Sequence, residues 1–218
     1  MSNRQEVQRS EEGGPTRWQA SPGHGPASCL STRGRDALSA ACYMSFMKLP
    51  TLEAIFAVLN DRGVRYLVAG GVTVNAHGYQ RMTQHLDLIL DLGTDNVLVA
   101  LRALAELGYS AVLPVETEEF ANPERRQEWN EERNVEVFSL TSDVHRETTV
   151  DLFVRNPFEF DEEYAEAMVG EVAPGLNVRF VRLRTLIAMK QKTGRARDED
   201  DAEHLRWILE EMGEEEVE

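Results

Sequence analysis

The sequence predicts an α/β (α+β) fold, in which a mixed β-sheet carries flanking helices and the chain closes with a C-terminal helical pair. Three observations predict it. Apolar, β-prone runs alternate with amphipathic stretches along the chain. Two of these runs are joined by a polar turn at Ser142-Asp143, as in a hairpin. Two helical stretches on either side of a turn at Gly194 end the pattern.

The individual elements follow from periodicity and from turn residues. The first helix is expected over residues 49–60, with Thr51 as its cap and Gly63 beyond its end. Further helices are expected over residues 72–77, 94–107, 161–168, 183–193 and 198–212. Strands are expected over residues 64–69, 86–90, 109–115, 135–140, 148–154 and 178–181. Residues 116–134 are highly charged, and we expect a solvated excursion there.

Composition indicates one domain, expected over residues 47–212, between an N-terminal tail of residues 1–46 and an acidic tail of residues 213–218. The N-terminal tail is rich in Ser, Gly, Pro, Arg and Gln without a sustained period, which predicts disorder. Cys29 and Cys42 make no disulfide framework. Because we find neither an apolar run of roughly 18 residues nor a secretory leader, we expect a cytoplasmic protein without a membrane partner.

A glycine pair, Gly70-Gly71, follows an apolar strand and precedes a short helix. Glycine allows a sharp turn and lets a ligand approach without a Cβ in the way. The free N–H groups at the start of the following helix suit a phosphate. A tight strand-to-helix turn without a ligand explains the pair about as well.

Polar side chains on two otherwise apolar strands indicate a metal site. His85 and Asp87 lie two residues apart and therefore face the same side of one strand. Asp151 lies in a second apolar strand. A buried carboxylate is costly unless it is paired or binds a metal, and Mg²⁺ prefers a few carboxylates together with triphosphate oxygens. Two such strands behind the glycine pair favour a shared divalent ion over two separate strand-end aspartates.

This order of features resembles the nucleotidyltransferase superfamily that includes DNA polymerase β. The features are the glycine pair, the short helix, Arg81-Met82-Thr83, the polar strand pair and the later strand Asp. The likeness is closest to the small AbiEii-like and minimal nucleotidyltransferases of bacterial toxin–antitoxin and abortive-infection systems. The segment from Leu186 to Lys190, followed by Gly194-Arg195, Arg197-Asp198 and Asp201, is similar to the closing helical motif of that family. The resemblance covers residues 49–209 and implies a mixed-sheet nucleotidyltransferase core.

The resemblance also implies roles for single residues. Gly70 and Gly71 would hold the triphosphate, and Arg81 and Thr83 would shape the turn into the metal strand. Asp87 and Asp151 would be the catalytic carboxylates, and both would bind Mg²⁺ or Mn²⁺. Asp151 would either bind the second metal ion or act as a base toward the attacking hydroxyl. Lys190 would contact the triphosphate as a point charge.

His85 departs from the family pattern, which has an acid two residues before Asp87. Imidazole suits Zn²⁺ or Mn²⁺ better than Mg²⁺ and brings no negative charge to offset two neighbouring ions. We therefore expect His85 either to be a metal ligand with altered metal preference or to leave the activity reduced or absent. Asp91, four residues beyond Asp87, is expected to be a strand-end group instead of a substitute ligand.

The predicted activity is transfer of a nucleoside monophosphate from an NTP to an acceptor hydroxyl on RNA, on a protein or on a small molecule, within a toxin–antitoxin system. One alternative is a degenerate member that binds NTP or a partner protein without turnover. Another is an aminoglycoside-type small-molecule nucleotidyltransferase. The net charge of −15 disfavours a general affinity for nucleic acid, although a local basic groove would still suit RNA.

Overall fold

The computed structural model describes residues 49–215, so the tail of residues 1–46 and the last three residues lie outside the described residues. The seven helices of the described part are α1 Leu49–Asp61, α2 Gly70–Ala76, α3 Thr94–Glu106, α4 Pro123–Arg133, α5 Phe160–Ala165, α6 Leu183–Thr193 and α7 Ala196–Glu215. The strands are β1 Tyr66–Ala69, β2 His85–Leu90, β3 Tyr109–Ala111, β4 Val137–Ser142, β5 Thr149–Phe153, β6 Met168–Ala173 and β7 Leu176–Phe180. None of the described helices has the length and apolar character that a membrane span needs.

The seven strands form one mixed sheet in the order β3-β4-β5-β2-β1-β7-β6. The pairs β2–β5 and β1–β7 are parallel, and the remaining neighbours are antiparallel. The predicted mixed sheet with flanking helices and a closing helical pair is therefore confirmed. Parallel pairing of β2 with β5 places the middle of both strands side by side, which is where the candidate carboxylates lie.

Side chains alternate between the two faces of the sheet, and each face has its own core. One face, with Leu88 and Leu152, packs against residues of α1, α3 and α4. The other face packs against α2, α5, α6 and α7, chiefly over the half formed by β1, β2 and β7, where Leu67 and Ile89 lie, and Phe153 of β5 also joins this core. On the β3–β5 half of this second face, Ser110 and Thr141 are exposed, and we call this part the open half. The open half adjoins the candidate site.

The expected solvated excursion over residues 116–134 is wrong. The segment contains a 3₁₀ helix, Thr117–Ala121, and α4. Phe120 and Trp129 are buried and stack on Phe138 of β4, with ring centroids 5.0 and 5.4 Å away. Apart from the buried Arg126, the charged residues of α4 are exposed or half-buried, and because they outnumber the two aromatic anchors they conceal the amphipathic pattern in the sequence.

Three further expectations need correction. Thr51 is not a cap, because it lies inside α1 and its Oγ1 is 3.1 Å from Nδ1 of His145. The helix expected over 161–168 ends at Ala165, and Met168 begins an edge strand that the sequence pattern missed. The strand expected over 109–115 ends at Ala111. Edge strands are short and carry mixed polarity, so their local pattern is weak.

Candidate active site

Strand pairing brings the two predicted carboxylates together. Asp87 of β2 and Asp151 of β5 are register partners across the parallel pair, and Ser139 of β4 is the register partner of Asp151 on its other side. All three residues belong to the face that is open beyond β5. The sequence predicted that the two aspartates lie together, whereas Ser139 was missed because only the strand register brings it here.

Both carboxylate oxygens of Asp151 are engaged. Nδ1 of His85 lies 2.8 Å from Oδ2 of Asp151, and Ser139 Oγ donates to Oδ1 over 2.6 Å. Asp151 is buried, whereas 57% of the His85 side chain is exposed. His85 thus forms a His–Asp pair with Asp151. As a metal ligand His85 stays a prediction, and it would have to use Nε2 while Nδ1 contacts Asp151.

The Asp87 carboxylate has no protein partner within the described part of the chain, although its side chain keeps some contact with solvent. Among the described residues no side chain or backbone N–H donates a hydrogen bond to its carboxylate, and it forms no ion pair with them. Burial, followed by the charge of Asp151, raises the pKa of Asp87 to about 6, although Lys190, His85 and Arg81 act in the opposite direction. At neutral pH the carboxylate is therefore ionised at a cost, which a bound cation would relieve.

The glycine pair packs directly against this carboxylate. Gly70 has φ +59°, and a Cβ built on it would lie 1.9 Å from Oδ2 of Asp87. A Cβ on Gly71 would lie 2.6 Å from Oγ1 of Thr83 and 3.0 Å from Nη1 of Arg81. Any side chain at either glycine would thus displace a predicted site residue. The first turn of α2 carries both glycines, so the helix begins two residues earlier than expected.

The two predicted cations of the site are held by carboxylates of α7. Arg81 contacts Asp201 through two nitrogens, at 2.6 and 2.8 Å. Nζ of Lys190 lies 2.9 Å from Asp201 and 2.6 Å from Asp198. Lys190 is buried, and Asp201 has no exposed surface. The sequence identified the motif that contains these aspartates but gave them no part in the site.

This network of four charges is internally balanced. Burial by itself would raise the pKa of Asp198, but hydrogen bonds from Lys190 and from Thr193 outweigh burial and hold that pKa below its usual value. The network therefore carries no net charge while Lys190 and Arg81 are protonated. Because Lys190 already has two carboxylate partners, its contact with a triphosphate stays a prediction.

The histidine and the aspartate that flank the site have structural partners. Nε2 of His77, at the end of α2, lies 2.8 Å from the carbonyl oxygen of Val181, and burial lowers the pKa of this imidazole. Asp91 pairs with Arg65 at 2.6 Å and accepts from the Gly93 N–H at 3.0 Å. Asp91 is thus the strand-end group that the sequence indicated.

The residues present fit a divalent cation in part. Asp87 offers a partnerless carboxylate with a raised pKa, and Mg²⁺ or Mn²⁺ could be held there by one or two carboxylates and phosphate oxygens. No group of three or more His, Cys, Asp and Glu side chains within the described part of the chain is arranged to hold a metal by itself. His85 and Ser139 also each contact one oxygen of Asp151. The donor set thus fits one cation at Asp87 better than a protein-built pair.

Comparison with known proteins gives matches among solved structures alone. No protein-family model matches the chain, and no curated protein matches it. The lincosamide antibiotic adenylyltransferase LnuA, bound to lincomycin, is 11% identical, with a TM-score of 0.51 over 75% of this chain and 99% of that one. ANT(2'')-Ia in complex with adenylyl-2''-tobramycin is 14% identical, with a TM-score of 0.46 over 78% of this chain and 91% of that one. The similarity to LnuA shows that the chain has the nucleotidyltransferase fold.

Proposed function

We propose that this protein is a metal-dependent nucleotidyltransferase. It moves a nucleoside monophosphate from an NTP to an acceptor hydroxyl. The observation that carries the proposal is the Asp87 carboxylate, which lacks a hydrogen-bond partner among the described residues, is a neighbour of Asp151 and packs against Gly70. Ionised carboxylates are retained in such surroundings where they bind a cation. On a nucleotidyltransferase fold, this cation would arrive with a nucleoside triphosphate.

The chemistry is a displacement at the α-phosphorus. The acceptor oxygen forms the new P–O bond, the bond to the bridging oxygen breaks, and pyrophosphate leaves with the electron pair. A divalent ion bound at Asp87 would offset the charge on the phosphates. Gly70 and Gly71 let the backbone lie directly against Asp87, Thr83 and Arg81, and we infer that the triphosphate binds beside this turn, near the cations Arg81 and Lys190.

We infer that Asp151 takes the proton of the acceptor hydroxyl. Its carboxylate lies at the border between the covered and the open half of the sheet, which is the side from which an acceptor can approach. Ser139 and His85 fix the orientation of the carboxylate through one contact on each oxygen. Such fixed orientation lowers the cost of reaching the reacting geometry.

We propose a small polyhydroxylated molecule as the acceptor. The open half of the sheet presents hydroxyl side chains next to His85. In the strand register Thr149 pairs with His85 across β2–β5, and Ser110 pairs with Thr141 across β3–β4. Val112, 57% exposed, adds apolar surface beside them. A neutral surface of hydroxyls with an apolar part suits a sugar-like molecule, whereas RNA binding depends on clustered Lys and Arg. The lincomycin bound to LnuA is consistent with this class of acceptor.

The degenerate alternative has one observation in its favour. Both oxygens of Asp151 are engaged, and Arg81 and Lys190 are already neutralised by α7, so the site could bind a metal–NTP complex without completing transfer. The relation to AbiEii-like enzymes of toxin–antitoxin systems stays a prediction from the order of motifs. The partner protein that this relation implies also stays a prediction.

The test is transfer of label from each α-³²P NTP with Mg²⁺ or Mn²⁺. The acceptors offered are lincomycin, tobramycin, tRNA and whole-cell protein. We expect labelled small molecule and released pyrophosphate, both lost in Asp87→Ala and Asp151→Ala. Asp91→Ala is the matched control, because Asp91 lies just beyond the same strand but pairs with Arg65. Metal-dependent NTP binding without turnover would favour the degenerate alternative, and absence of both would refute the proposal.

A further inference from the structure

Asp201 is the most deeply buried charged residue of the network behind the site. It has no exposed surface, although it lies on α7, 120 residues away from Arg81 in the chain. An ionised carboxylate in such a place is costly unless it is paired. Asp201 meets this condition by contacting two cations, Arg81 at 2.6 Å and Lys190 at 2.9 Å.

Arg81 lies beside the glycine pair, and Lys190 is grouped with it through Asp201. Nη1 of Arg81 is 3.0 Å from the position of a Cβ on Gly71, so the guanidinium packs directly against this glycine. Lys190 contacts the same Asp201 carboxylate as Arg81, so the two cations are neighbours. Asp201 thus joins two positive groups, from the α2–β2 turn and from α6, next to the proposed triphosphate space.

Asp198 differs from Asp201 in its partners. It contacts Lys190 at 2.6 Å and Thr193 at 2.6 Å, both on α6. Asp198 therefore joins α6 to α7, whereas Asp201 alone of this pair connects α7 with the turn that follows α2. Asp200, between them in sequence, accepts a hydrogen bond from the Tyr79 hydroxyl at 2.8 Å.

We propose that Asp201 is a positioning residue for triphosphate binding, an inference that rests on the proposed function. Its carboxylate fixes the Arg81 guanidinium and the Lys190 ammonium beside the glycine pair. The long side chains of Arg and Lys lose rotamer freedom when they bind a ligand. Since Asp201 orders both side chains in the free protein, the phosphates meet cations that are already in place. A residue of α7 would thereby orient the side chains that bind the phosphates.

The test measures binding of the magnesium complex of inorganic tripolyphosphate, and of each Mg–NTP, to the full chain by titration calorimetry. Asp201→Asn and Asp201→Glu are compared with the parent, and Asp200→Asn is the matched control on the same helix. Asp201→Glu keeps the charge but moves the carboxylate, so it remains informative if the neutral variant does not fold. Circular dichroism and thermal melts establish folding for each variant.

We expect a folded Asp201 variant to bind tripolyphosphate and NTP at least tenfold more weakly, by the same factor for both ligands. Asp200→Asn should stay within twofold of the parent. In turnover assays the KM for NTP should rise while kcat changes less than threefold, a split that a general loss of folded protein would not produce.

Three results would decide against the inference. A folded Asp201→Glu variant with parental affinity would show that the carboxylate supports the fold alone. Tighter binding would show that Asp201 competes with phosphate for the two cations. A parent that binds neither tripolyphosphate nor any NTP would overturn the proposed function, and the positioning role would fall with it, whereas the first two results leave the proposed function intact.

Discussion

Asp87→Asn should stabilise the metal-free protein at neutral pH. The folded state raises the pKa of Asp87 from 3.8 to about 6. At about 1.4 kcal/mol per pKa unit, this shift means that ionised Asp87 costs up to about 3 kcal/mol of folding free energy. Asparagine removes the charge, and no hydrogen bond from a described residue is lost. Because Asp87 keeps some contact with solvent, about 3 kcal/mol is an upper bound.

The pH dependence gives the sign of this effect. Between about pH 4 and pH 6 the folded protein binds the proton of Asp87 more strongly than the unfolded chain does. The contribution of Asp87 to the free energy of unfolding therefore falls as the pH rises through this window and is constant above it. The gain from Asp87→Asn should be largest at pH 7.5 and should shrink towards zero near pH 4.

Urea denaturation with EDTA at pH 7.5 and at pH 4.5 measures the effect. A gain of about 2–3 kcal/mol at pH 7.5 corresponds to several degrees in Tm for a domain of this size. Asp91→Asn is the control, because removal of the partner of Arg65 should not stabilise the protein. An equal gain at both pH values, or no gain at pH 7.5, would refute the assignment of Asp87 as a strained carboxylate.

Two other substitutions test the site. Gly70→Ala should destabilise the protein more than Gly63→Ala does in urea denaturation. Both glycines have positive φ, at a cost of about 1–2 kcal/mol for alanine, but Gly70 adds overlap with Asp87 whereas a Cβ on Gly63 meets no described atom within 4 Å. Equal losses of stability in the two variants would show that the turn at Gly70 can shift to accommodate a Cβ. His85→Asp should raise Mg²⁺-dependent pyrophosphate release at least tenfold and lower the Tm in EDTA, because a third carboxylate repels its neighbours until a cation binds. Unchanged or lower turnover would identify the His85–Asp151 pair as an adapted part of the site.

The closing helices and the core of the sheet could be predicted because their signals are local. Helix α3, which ends before Gly108, is a further example, because its apolar residues recur at a spacing of three and four. The two carboxylates stand out because each interrupts an apolar strand. Periodicity of this kind can be recognised in the sequence without knowing which residues are neighbours in space. The strand β6 and the anchors Phe120 and Trp129 were missed, because a short edge strand and a charged amphipathic helix have weak local patterns.

The sequence by itself determined which residue types reach the site and in what order. The glycine pair, Asp87 and Asp151 could be named because each breaks the pattern of its own segment, and Arg81 was implied by the family resemblance. The tertiary structure decided how these groups share their charges. It paired His85 and Ser139 with Asp151, left Asp87 without a described partner, and placed Arg81 and Lys190 on Asp201. Hydrogen bonds and ion pairs depend on distances of about 3 Å, and only the packing of distant segments fixes such distances.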